Sequence, residues 1–124
     1  MNTSALETKL FTMIKSLNGY LKHFPRDEKF ALVKDIKNVA YELVILYAKA
    51  KKQYQNKTTL QNLDITLETL RLLTRVAFEM RYFNYDNGRD ENTDSEALRK
   101  YTYLANQFDE IGSIIGSWLK NTKG

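Results

Sequence analysis

The chain contains no cysteine, one histidine, one proline and no long apolar run. Without cysteine there are no disulfides, thiolate metal sites or cysteine nucleophiles. The lone histidine, His23, has no second histidine or cysteine to join it, which argues against a transition-metal centre. No Glu-x-x-His pair is present, so a di-iron carboxylate bundle is excluded. The segment Asp86-Asn87-Gly88-Arg89-Asp90-Glu91 has acids around a glycine, but an EF-hand loop needs an acid five residues before that glycine, where Phe83 stands. Gly112-Ser113-Ile114-Ile115-Gly116 is no nucleophile elbow, because its serine is misplaced and no strand precedes it. Neither a phosphate-cradling glycine loop nor any cofactor motif is found. No apolar stretch approaches the roughly 18–20 residues of a membrane span. The opening residues MNTSALETKLF lack a signal-peptide core, so a cytoplasmic protein is expected. Together these absences point to a non-enzymatic protein without metal or cofactor.

What is present suits one helical domain over residues 1–124, long enough to bury a core of its own. Leu6, Leu10, Met13, Leu17, Tyr20 and Phe24 step by three and four, the stripe of an amphipathic helix, after a capping-box spacing at Ser4 and Glu7. Pro25 ends this helix and starts the next, with Asp27 and Glu28 at its positive end. A second stripe runs Val33, Ile36, Ala40, Leu43, Tyr47, Ala50 and Tyr54, widened by Leu32, Val39 and Leu46. Thr58 and Gln61 match a capping box ahead of Leu60, Leu63, Leu67, Leu70, Thr74 and Ala77. Residues 84–92 form the one clear loop, with Asn87-Gly88 as its turn and no competing β-hairpin signal. Thr93 and Glu96 cap a last stripe of Ala97, Tyr101, Leu104, Phe108, Ile111, Ile115 and Trp118. Four such helices with short connections predict an all-α, antiparallel up-down-up-down bundle.

Charge is uneven along the chain. Residues 1–57 hold 11 Lys/Arg against 5 Asp/Glu, a balance of +6, while residues 58–124 hold 8 against 10, a balance of −2. The outward face of the second helix carries Lys34, Tyr41, Ile45 and Lys52, with Lys37 on its flank, and Lys22, Arg26 and Lys29 surround the turn into it. Basic side chains a helical turn apart suit phosphates, and an interleaved tyrosine suits bases; a solvated face explains the lysines equally well. Phe11, Tyr41 and Ile45 fall outside the core stripes, which suits an interface or singly exposed apolar residues equally. Arg71 and Arg75, flanked by Glu68 and Glu79, have two readings: exposed ion pairs along one helix, or guanidinium forks for phosphate or a neighbouring subunit. Gly112 and Gly116 lie on one face of the last helix. Glycine costs roughly 1 kcal/mol against alanine there, so the pair suggests close approach of another helix, within the bundle or from another protomer.

The pattern Leu63-Asp64-x-x-Leu67-x-x-Leu70-Arg71-x-Leu73-x-Arg75-x-Ala77, followed by Glu110-Ile111-Gly112-x-Ile114-x-Gly116-Ser117-Trp118-Leu119-Lys120, resembles the Avd proteins. These are the accessory variability determinants of diversity-generating retroelements. Phe24-Pro25-Arg26-Asp27-Glu28-Lys29-Phe30 is similar to the family's entry into its second helix, and a wider kin group is the four-helix bundle proteins of ribosomal RNA intervening sequences. The resemblance implies a non-catalytic, basic, pentameric barrel that binds a reverse transcriptase and RNA or DNA during mutagenic copying of a template RNA. It makes Arg71 and Arg75 candidates for nucleic-acid contact or for lining the barrel, beside Lys22, Arg26, Lys29, Lys34 and Lys37. Phe11, Tyr41, Ile45, Gly112 and Gly116 become the candidate oligomer interface. The alternative is a self-associating structural bundle of the intervening-sequence type with no nucleic-acid role.

Overall fold

The computed structural model describes residues 4–122. Among them four α-helices, α1 (Ser4–Leu21), α2 (Leu32–Lys52), α3 (Lys57–Glu79) and α4 (Asp94–Asn121), form an all-α bundle. Each helix packs against its chain neighbour, and α1 closes the square against α4. Cross-pairs fix the directions. Lys9 of α1 meets Glu110 of α4 while Ser16 meets Gln107, so rising numbers on one helix face falling numbers on the other. Lys51 reaches back to Glu7, and Phe78 stacks on Tyr101 while Arg71 reaches Asp109. Neighbours are therefore antiparallel. None of the described helices is long and apolar enough to cross a membrane.

The helical stripes become the core almost residue for residue. Leu6, Leu10, Met13 and Leu17, then Val33, Ile36, Ala40, Leu43 and Tyr47, are buried. So is the whole α3 stripe from Leu60 to Ala77, as are Leu104, Phe108, Ile111 and Ile115. Each large apolar side chain so buried stabilises by roughly 1.5–3 kcal/mol relative to exposure. Thr74 fits this core because its hydroxyl donates to the Leu70 carbonyl of its own helix. Leu21 extends the α1 stripe, whereas Tyr54 falls beyond the end of α2 and is 98% exposed.

Several boundaries differ from expectation for local reasons. Pro25 starts only a single 3₁₀ turn, Arg26–Glu28, and α2 begins at Leu32. Its cap residue, Ala31, has no side-chain oxygen, and Glu28 substitutes by accepting from the Leu32 amide at 3.2 Å. Ser4 is already helical. Thr58 does not cap α3, which starts at Lys57 behind Asn56. The Asn56 side chain instead donates to the Ala50 carbonyl and accepts from Thr122, tying the α2–α3 turn to the end of α4. Among the described residues the capping box is complete at Thr93, with Glu96 returning the bond to the Thr93 amide.

The 84–92 loop contains a short β-hairpin, contrary to the absence of one expected from the sequence. β1 (Tyr85–Asp86) pairs antiparallel with β2 (Arg89–Asp90) across Asn87 and Gly88. Both turn residues have positive φ, 53° and 80°, which is what a two-residue hairpin turn requires. Two residues per strand are too few to show alternation, so the turn itself was the only legible part.

Candidate nucleic-acid interface

The 22–31 connection between α1 and α2 is held open and rigid from both sides. Phe24 is buried and meets Phe83 edge-on at 5.2 Å and Tyr82 at 5.8 Å. Tyr82 donates its phenol proton to Glu28 at 2.7 Å, a bond that raises the phenol's pKa above its ordinary value. From outside, the hairpin tip clasps the turn: the Gly88 amide donates to the His23 carbonyl and the Asn87 amide to His23 Nδ1, both at 3.1 Å. Asp86 Oδ1 also lies 3.1 Å from His23 Nδ1. The Arg26 stem lies against Gly88, within 3.6 Å of where a Cβ would stand.

This framework shapes a cleft of about 420 Å³ lined by Lys22, Arg26, Lys29 and Lys37 over an apolar floor that includes Leu21, Phe24 and Val33. Four of the candidate cations thus come together from positions spread over 16 residues. None of the four has a carboxylate within ion-pair distance among the described residues. Lys34 is exposed on α2 outside the cleft. Phe30 was not singled out from the sequence. It is 80% exposed, and the Lys29 ammonium sits 5.4 Å from its ring centroid. The available signal was its place between the Phe24 and Val33 core positions, on neither stripe. A cation cluster beside an uncovered ring can take phosphates and a stacked base together.

Arg71 and Arg75 are arranged differently. Arg71 crosses to α4, where it donates to Asp109 at 2.5 Å and to the Phe108 carbonyl at 3.2 Å. Glu68 is not its partner. Arg75 does pair along its own helix, with Glu79 at 2.7 Å. Neither arginine lines the cleft.

The paired glycines are also explained apart. A Cβ on Gly112 would stand 2.7 Å from Arg71 Nη2 and 3.3 Å from Leu67 Cδ2, so Gly112 seats a guanidinium and no helix backbone packs on it. Around Gly116 nothing lies within 4 Å, and the close packing expected there is absent within the chain. Phe11, Tyr41 and Ile45 are exposed, consistent with their place off the core stripes.

A family model described as bAvd-like matches residues 4–122. The chain belongs to the bAvd-like family. No curated protein and no solved structure matches it. The match of this bAvd-like chain spans all four helices, so the cleft, Arg71 and both glycines lie inside the region that defines membership.

Proposed function

We propose that the protein is a non-catalytic accessory subunit of a diversity-generating retroelement. It assembles as a homo-pentamer, holds template RNA or cDNA through the α1–α2 cleft, and docks the reverse transcriptase. Membership of the bAvd-like family supports the accessory role. The observation that carries the nucleic-acid part is the cleft itself: Lys22, Arg26, Lys29 and Lys37 converge without carboxylate partners among the described residues. Cations kept free of internal acids are available to displace counterions from a phosphate backbone, and five copies per assembly would bind with avidity.

Fluorescence anisotropy with single-stranded RNA and DNA across a salt series tests the reading. Binding should be largely sequence-independent and weaken steeply with salt, with a slope of about 0.7–0.9 per phosphate contact. No binding at low salt would favour a purely structural bundle. Light scattering should report five times the 14.5 kDa chain mass.

A further inference from the structure

An apolar ridge runs among the polar residues of the outward face of α3. Ile65, Leu72, Val76 and Met80 recur at steps of seven, four and four, opposite the Leu60–Ala77 core stripe, and each is 47–62% exposed. Nothing among the described residues covers them. A second apolar surface lies in the groove between α1 and α2, where Phe11, Val44 and Ala48 line a hollow of about 220 Å³. Tyr41 and Ile45, exposed and three or four residues from Val44 and Ala48, extend it along α2. One surface is a ridge on a single helix and the other a hollow between two. They occupy different sides of the bundle, since α3 is diagonal to α1.

Their charges are complementary. Asp64 and Glu68 flank the ridge with no ion-pair partner among the described residues. At the groove, Lys51 and Lys52 of α2 line the hollow beside Glu7, which pairs with Lys51. Among the described residues Lys52 has no carboxylate partner. We infer that the occupant of the groove is the α3 ridge of a second copy of this chain, docked head to tail, with Asp64 or Glu68 reaching Lys52. The inference rests on the self-association proposed above and specifies its surfaces. A head-to-tail contact uses both patches of every protomer and closes into a ring when its rotation permits. It also leaves the cleft at the α1–α2 turn outside the contact.

Two surface variants test it. Leu72→Glu spoils only the ridge and Ile45→Glu only the groove. Each alone should run as a folded monomer with an unchanged helical spectrum. Their mixture should form dimers of twice the 14.5 kDa chain mass and nothing larger, because one intact ridge still meets one intact groove. A mixture that stays monomeric overturns the pairing. Because the chain has no cysteine, Leu72→Cys and Ile45→Cys chains give an independent check that needs no disruption. Mixed oxidation should yield the Leu72–Ile45 cross-link in excess of either self-cross-link. A dominant Leu72–Leu72 product means a two-fold ridge-to-ridge contact, and no product from an oligomeric protein means that both patches face another partner. Either result defeats the inference while leaving self-association standing. A monomeric unmodified protein defeats both.

Discussion

The main cation clusters in the two halves of this bundle are used in opposite ways. In the α1–α2 half, where Lys9 and Lys51 are paired, Lys22, Arg26, Lys29 and Lys37 gather around one cleft with no carboxylate partner among the described residues. In the α3–α4 half, Arg71 is held by Asp109, Arg75 by Glu79 and Arg81 by Asp94. A paired guanidinium must give up its carboxylate before it can meet a phosphate, so its intrinsic contribution to polyanion binding is largely spent inside the fold. The contrast is stronger than the charge count suggests, since +6 against −2 says nothing about which cations are free.

The largest effect should come from the free cations. Reversing Lys22, Arg26, Lys29 and Lys37 to glutamate should remove single-strand binding at moderate salt and lower the salt slope by about 3 units. Melting temperature should be unaffected, because these side chains form no internal ion pairs. Reversing Arg71 and Arg75 should instead leave the slope within about 1 unit of the starting value. Equal losses from the two sets would erase the distinction between the halves.

Stability should show the mirror image. Arg71→Ala should cost about 1 kcal/mol in chemical denaturation, because two bonds to α4 are lost from a side chain still one-third exposed. Lys29→Ala should cost nothing measurable. A smaller effect separates the glycines. Gly116→Ala should stabilise by about 0.5–1 kcal/mol through helix propensity, having open space around it. Gly112→Ala should recover that gain only when Arg71→Ala is also present, because the methyl and the guanidinium compete for one place.

The smallest effect concerns pH. Hydrogen bonds from Asn84 and then Arg81 hold the Asp94 carboxyl below its ordinary pKa. A depressed folded pKa contributes stability above the unfolded value of about 3.9 and loses it as pH falls through the folded one. Asp94→Asn should therefore lower stability slightly at neutral pH, flatten the acid limb of a stability profile and leave its most acidic end nearly unchanged. A limb of identical slope would show that the α3–α4 pairings are not coupled to folding.

Much of this molecule was legible in one dimension. The repeats from Leu6 to Leu17 and from Leu60 to Ala77 marked the core because a helix returns to one face every three or four residues. The Thr93–Glu96 box was legible because both of its bonds are local. The Thr58 cap was misleading, since the same spacing also occurs inside a helix and Asn56 had a tertiary use for its side chain. The basic cleft was half legible. Its cations were legible, but Lys22 and Lys37 meet only where α1 and α2 fold back on each other, at a turn clasped by Gly88 and Asn87 from a hairpin 64 residues from His23.

The amino-acid order alone determined the helical class, the core positions, the cap of α4 and the turn at Asn87-Gly88, because each depends on contacts within about one helical turn. Only the tertiary structure decided which charges are spent. Arg71 lies 38 residues from Asp109 in sequence, and Gly112 is small so that those two can meet. No local spacing carries that relation, since it exists only where α3 and α4 run antiparallel with Leu67 level with Gly112.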